Sequence, residues 1–135
     1  VRLDVQDAEP ATVVASVESL LAGSDAHVWL GEGAGRDPLS IEDPRVHVGA
    51  PPPAILGRAR YLVDCAPVLL AGTTLRHLCL EAPVRTEHFA LRTTRAVNRE
   101  RRGLLVPPWR AWPAAARITP LLSAPLLERY WQTRP

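Results

Sequence analysis

The carboxylates that could contact a ligand lie where predicted strands end. Glu32 and Asp37 belong to a glycine-rich segment that follows a predicted strand ending at Leu30, and Asp64 closes the apolar run that begins at Tyr61. Carboxylates at a strand end can accept hydrogen bonds from a base or a ribose, or hold a divalent cation. Two interpretations of Glu32 and Asp37 stay open at this point: they contact a nucleoside, or they only face water.

The glycine-rich segment itself does not predict a phosphate-binding loop. Its glycines at positions 31, 33 and 35 lack the third spaced glycine of a dinucleotide fingerprint, and prolines at 38 and 44 leave no long helix behind them. No Gly-Lys-Ser/Thr follows, as a P-loop requires, and Glu32 and Asp37 would repel a phosphate placed there. The carboxylates are therefore the candidate ligand contacts of this segment.

A second group of candidate residues comes from an arginine-rich back half. Residues 44–135 hold fourteen arginines and five carboxylates, whereas residues 1–43 hold nine carboxylates and two arginines. Arginine forks match phosphate geometry, and tryptophans can stack on bases or sugars. Interspersed glutamates are equally typical of a solvated face, and no RRM, KH, helix-turn-helix or zinc-finger pattern is present. The candidate anion- or partner-binding residues are Arg92, Arg95, Arg99, Arg101, Arg102, Trp109 and Trp112.

The histidines and cysteines form no catalytic or metal-binding signature. Cys65 and Cys79 are too few for a zinc site, and we expect two small core residues. The four histidines lack ligand spacing, although His27 and His47 lie in predicted neighbouring strands and could approach each other. No Gly-x-Ser-x-Gly elbow positions a nucleophile, so a serine hydrolase is not indicated.

Composition limits the class of protein. Hydrophobic residues make up 47% of 135 residues and charged residues 22%, which excludes a globally disordered chain. No apolar run approaches the roughly 20 residues of a membrane span, and no signal segment precedes the first strand, so we expect a cytoplasmic protein. Because the chain begins at Val1 and has no methionine, we expect a processed product or a domain of something larger.

The order of predicted elements indicates an α/β sheet. Residues 1–5 alternate apolar and polar side chains, as a half-buried strand does. The apolar residues between 13 and 21 fall on one helical face, Gly23 would end that helix, and residues 27–30 form a second strand. This β-α-β opening predicts a right-handed crossover. Further strands are expected at 45–48 and 61–63, with helical turns at 54–60 between them and a strand end at Asp64.

In this order of elements the chain resembles the nucleotide-binding half of family-two glycosyltransferases with the GT-A fold. In that family the second strand typically ends in Asp-Asp-Gly-Ser followed by another Asp, and here Gly31-Glu-Gly-Ala-Gly-Arg-Asp37 stands in that place. The family's metal-binding Asp-x-Asp ends a later strand, where this chain has Leu62-Val-Asp-Cys-Ala66. The resemblance implies a nucleotide sugar held with Mn²⁺ or Mg²⁺, Glu32 and Asp37 facing the nucleoside, and Asp64 as a remnant metal ligand.

The chain departs from the family pattern at two acidic positions, and this limits the activity that the resemblance implies. It covers about residues 1–80 and is mainly one of spacing; Gly31 replaces the first acid, Ala66 replaces the second metal-site acid, and no general base can be placed. Loss of one carboxylate from a metal pair weakens cation binding because the ion's charge is then poorly compensated. The resemblance therefore implies a degenerate, non-catalytic relative or a fragment of a larger glycosyltransferase.

Together these observations predict a single α/β domain over residues 1–135. A small, mostly parallel sheet with flanking helices occupies 1–80, and an irregular Arg/Trp/Pro-rich extension occupies 81–135. The first function hypothesis is a GT-A-like nucleotide-sugar-binding domain. The alternative is a non-enzymatic interaction module that binds an acidic protein or a nucleic acid through its arginine-rich half.

Overall fold

Short strands and helices alternate along the chain. The computed structural model describes residues 1–5, 8–31, 43–70, 73–106, 108–109 and 118–120. In chain order the elements are β1 (Arg2–Leu3), α1 (Pro10–Leu21), β2 (Val28–Leu30), β3 (Val46–Val48), α2 (Pro53–Arg58), β4 (Tyr61–Cys65), β5 (Val68–Leu70), α3 (Leu75–Cys79), β6 (Val84–Thr86), β7 (Phe89–Thr93), α4 (Thr94–Arg101) and β8 (Ile118–Pro120).

The main sheet has six strands in the order β3-β2-β1-β4-β7-β6. The first four of these are parallel, and β7 and β6 extend the sheet in antiparallel fashion beside β4. Strands β5 and β8 form a separate antiparallel pair. The predicted class, an α/β fold with a mostly parallel sheet and a β-α-β opening, is confirmed.

One face of the sheet packs against α1 to form the hydrophobic core. Val13, Val17 and Leu20 of α1 are buried, as their helical spacing predicts, together with Leu3 and Leu30 from the first two strands. The alternate residues of each strand point to the opposite face. There, α2 lies beside β1 and β4, since Leu56 lines one cavity together with Arg2 and Leu62. The two crossover helices thus cover opposite faces.

Helix α1 is tied to β5 by serine hydroxyls. Ser16 is fully buried, and its Oγ donates to the Val68 carbonyl (2.9 Å) and accepts from the Val68 amide (3.0 Å). The Leu70 amide donates to Ser19 Oγ at 2.7 Å. The serines satisfy backbone groups of β5 that would otherwise be buried without partners.

Gly23 ends α1 as predicted, in a left-handed backbone conformation that a residue with a side chain adopts only with strain. Its φ is +64°, and a Cβ built there would lie 2.9 Å from Cγ2 of Thr74, the residue that caps α3. We expect Gly23→Ala to lower the free energy of unfolding by about 1–2 kcal/mol. Gly57→Ala is the control, because Gly57 lies in α2 with open space around it, and alanine there should stabilise by about 0.5–1 kcal/mol. Urea unfolding of both variants measures the difference, and equal effects would contradict the assigned conformation.

The back half contains regular structure where the sequence pattern was mixed. Residues 84–101 form β6, β7 and α4, and β7 pairs with the whole length of β4. Strand β4 itself continues through Cys65, so Asp64 lies inside the strand instead of at its end. The leucine-rich segment after residue 120 lies outside the described residues. Over the described part of the chain, no helix has the length and apolarity to cross a membrane.

Candidate ligand-binding cleft

The order of the parallel strands defines a point where the chain reverses its direction across the sheet. From β1 the chain steps to β2 and then to β3, and it returns to place β4 on the other side of β1. In open α/β sheets, ligands bind in the crevice outside the carboxyl ends of the strands at such a switch point. Here the switch point lies between β1 and β4.

A cleft of about 710 Å³ opens at this edge of the sheet. Its lining includes the residue that follows each of the four parallel strands: Asp4, Gly31, Gly49 and Ala66. The turn between β6 and β7 closes the far side with residues 86–88. The volume falls within the range of small-molecule sites, about 300–1,000 Å³. We call this cavity the switch-point cleft.

On the face of the sheet opposite α1, next to this cleft, a row of side chains from paired strand positions runs across the six strands. Strand pairing aligns one residue from each strand, and residues paired in this way present their side chains on the same face. In order across the sheet, the row is His47, Trp29, Arg2, Asp64, Ala90 and Arg85. All of these except His47 also line the cleft.

Arg2 and Asp64 form a bidentate ion pair at the centre of the row. Arg2 Nε lies 2.6 Å from Asp64 Oδ1, and the other guanidinium nitrogen, Nη2, donates to Oδ2 at 2.7 Å. The pair exists because the two residues are register partners on adjacent parallel strands. Both side chains are nearly half exposed, so the pair contributes under about 1 kcal/mol to stability. Its importance is local, because it fixes the guanidinium at the cleft wall.

The described residues do not assemble the ligand set of a divalent cation. Both oxygens of Asp64, the predicted metal ligand, already accept from Arg2, and a cation would have to displace that guanidinium. Within the described ranges, no group of three His, Cys, Asp or Glu side chains could hold a metal ion. Glu32 and Asp37 lie outside the described residues. The metal role of Asp64 therefore stays a prediction.

The remaining titratable groups of the cleft are exposed charges and one buried thiol. Asp4, Arg85 and Glu87 are exposed, and half-buried His88 has its Nε2 4.0 Å from a Glu87 oxygen. Cys65 is buried, as expected, and burial raises the pKa of its thiol to about 12. A thiol with that pKa stays protonated at neutral pH and is a poor nucleophile. The described side chains of the cleft thus comprise charged groups and one protonated thiol.

The structure divides the predicted arginine group among different surroundings. Arg92 and Arg85 approach the Trp109 ring, at 5.5 Å for Arg85 and 5.7 Å for Arg92, and Arg92 also donates to Glu100 at 2.8 Å. Trp109 thereby lies over β6 and β7 with a partly exposed ring. Arg101 lines a smaller cavity beside Glu100, whereas Arg95, Arg99 and Arg102 line a cleft at another edge of the sheet. Trp112 lies outside the described residues.

His27 and His47 approach each other, as the expected neighbouring strands suggested. His27 Nδ1 lies 3.0 Å from His47 Nε2, and the His47 ring stacks on Trp29 with centroids 4.2 Å apart. At most one proton can occupy the short nitrogen–nitrogen contact. The stacked rings thus form the end of the side-chain row that lies on the edge strand β3.

Sequence reasoning missed Arg2 and Trp29 as cleft residues. A charged residue alternating with buried Leu3 in a strand marks the face opposite the core, and that signal was present in residues 1–5. What the sequence lacks is the register that places Arg2 beside Asp64, 62 residues away.

The fold and cleft define a mixed α/β protein with a ligand-sized crevice at the switch point of its sheet. No protein-family model matches the chain, and neither a curated protein nor a solved structure is significantly similar to it. The features of the chain that bear on its function are therefore its strand order, the chemistry of the cleft and the spacing of the acidic segments.

Proposed function

We propose that the chain binds the nucleoside diphosphate part of a nucleotide sugar in the switch-point cleft. The observation that carries the proposal is the reversal of strand order between β1 and β4, with a cleft of about 710 Å³ at their carboxyl ends. Nucleotides bind at this position in doubly wound sheets whose first strands have the same 3-2-1-4 order.

The described lining of the cleft holds two arginines, Arg2 and Arg85, and three carboxylates, Asp4, Asp64 and Glu87. Arg2 is held at the cleft wall by Asp64, and Arg85 lies in the same row on the far side. In this proposal the two guanidinium groups donate to the phosphate oxygens, since their forks match phosphate geometry. In this proposal Glu32 and Asp37 keep the role that the glycosyltransferase resemblance implies and accept hydrogen bonds from the nucleoside. The proposal concerns binding and includes no transfer step.

Melting of the full chain with UDP and with GDP tests the proposal. At a ligand concentration about 100 times Kd, a single site stabilises the folded state by about 2.7 kcal/mol, which raises the melting temperature by several degrees. Each nucleotide is measured with and without MnCl₂, beside uridine, guanosine and inorganic diphosphate. We expect the nucleoside diphosphates to raise the melting temperature most, without any need for manganese.

Two outcomes would contradict the proposal. No shift with either nucleotide would remove the nucleotide site. A shift with inorganic diphosphate that equals the shift with UDP and GDP, and that is lost in Arg2→Gln, would mean that the switch-point cleft recognises only phosphate. A shift that depends wholly on manganese would support nucleotide binding but return Asp64 to the metal role that the resemblance implies.

A further inference from the structure

A second cleft, of about 790 Å³, lies at the end of the sheet opposite the switch-point cleft, where strand β4 begins. It is bounded by the start of β4, the end of β7 and one side of α4, whereas the switch-point cleft lies beyond the other end of β4. We call it the α4 cleft. The lining residues that could contact a charged ligand are Arg60, Tyr61, Arg95, Asn98, Arg99 and Arg102.

The charge of the α4 cleft has one sign. Four arginines line it, and among its described lining residues there is no carboxylate. Within the described part of the chain, Arg60, Arg95 and Arg102 form no ion pair; Glu100, the one acid of α4, pairs instead with Arg92. The positive charge facing this cleft is therefore uncompensated by the described residues.

Two arginines of α4 and the arginine at its C-cap lie on one side of the helix, whereas Arg101 faces the smaller cavity. Arg95, Arg99 and Arg102 are spaced four and three residues apart, and like charges at this spacing repel each other. Arg99 is half-buried, and its Nε donates to the Leu105 carbonyl at 3.2 Å, which leaves both terminal guanidinium nitrogens available to a ligand. An anion in the cleft would relieve the repulsion and find one arginine already oriented.

We infer that the α4 cleft binds a compact anion with several linked phosphate groups. The guanidinium groups present forks that match phosphate oxygens, and Asn98 adds a neutral donor. From Arg95 to Arg102 the helix rises about 10 Å, a length that accommodates a few linked phosphates. Sequence-independent binding of a nucleic-acid strand uses several aromatic platforms, and Tyr61 is the one aromatic side chain among the described lining residues.

Calorimetric titration of the full chain with tripolyphosphate tests this inference, at about 50 mM and about 200 mM salt. We expect binding that weakens with salt, and Arg95→Gln, Arg99→Gln and Arg102→Gln should each lower the affinity about tenfold. Arg76→Gln is the matched control, because Arg76 is exposed on α3 and does not line the cleft; its effect should stay under about twofold.

The result is interpretable because these substitutions should leave the protein folded. Arg95 and Arg102 are exposed, so replacing either removes repulsion without loss of packing, whereas Arg99→Gln also loses the bond to the Leu105 carbonyl. Urea unfolding midpoints of each variant separate a loss of affinity from a loss of fold. An equal loss in Arg76→Gln, or a loss in Arg2→Gln instead of the α4 variants, would overturn the assignment. Oligonucleotides that bind more tightly than tripolyphosphate, with affinity increasing with strand length, would also overturn it.

This inference stands apart from the proposed nucleotide site. If UDP and GDP fail to bind while tripolyphosphate binds through Arg95, Arg99 and Arg102, the nucleotide proposal is lost and the α4 cleft is retained. If nucleotides bind through Arg2 while tripolyphosphate does not bind, the reverse holds.

Discussion

Arg2→Gln and Asp64→Asn are expected to change the affinity for metal-free UDP or GDP in opposite directions, although both break the same ion pair. Loss of the Arg2 guanidinium removes charged hydrogen bonds to the diphosphate, which should weaken binding about ten- to hundredfold. Loss of the Asp64 charge removes a carboxylate beside the bound phosphates and releases Arg2, so binding should become about three- to fivefold tighter. Titration calorimetry without divalent cations measures both.

The opposite signs separate two roles for Asp64. A carboxylate that orients Arg2 gives the result above, whereas a metal ligand would make Asp64→Asn abolish manganese-dependent binding. Arg58→Gln is the control for loss of one positive charge, because Arg58 is exposed on α2 outside the lining of the switch-point cleft. Stability should change little, since the Arg2–Asp64 pair is exposed. Affinities that fall in parallel for Arg2→Gln, Asp64→Asn and Arg58→Gln would contradict the placement of the diphosphate.

Leu91→Ala should lower the free energy of unfolding by about 3–5 kcal/mol. Leu91 is fully buried in β7 and lies between its register partners Val63 of β4 and Val84 of β6. Truncation leaves a cavity where the antiparallel β6–β7 pair joins the parallel strands. The β6–β7 pair also positions Arg85 and His88 in the lining of the switch-point cleft. The stability of the sheet and the shape of the cleft therefore depend on the same packing. Urea unfolding measures the change.

The control for this prediction is a leucine from the same half of the chain. Leu105 is 91% exposed, and only its backbone carbonyl contacts Arg99, so Leu105→Ala should change stability by under about 0.5 kcal/mol. If Leu91→Ala were as mild as Leu105→Ala, β7 would not be packed inside the sheet as described.

The first half of the fold could be predicted because its signals are local. The alternation in residues 1–5, the helical face of α1 and the glycine at 23 each depend on a few neighbouring residues. The cap of α3 is likewise local, since Thr74 accepts from the His77 amide three residues on. Local patterns of this kind do not require knowledge of which strands pair.

The site was less predictable because it depends on register between distant segments. Asp64 could be recognised as a candidate, but its bond to Arg2 follows from pairing between β1 and β4. The arginines between 85 and 102 read as one basic group along the chain. Strand β7 and helix α4 point them to different sides, so Arg92 meets Glu100 and Trp109 while Arg95 meets the α4 cleft.

The central claim is that a nucleoside diphosphate occupies the switch-point cleft, and amide NMR of the isotope-labelled chain titrated with metal-free UDP tests it most directly. The account predicts that the signals of Asp4, Gly31, residues 64–66 and residues 86–88 shift with a common affinity, while those of α4 stay in place. Shifts confined to α4, or no shift at saturating nucleotide, would contradict it.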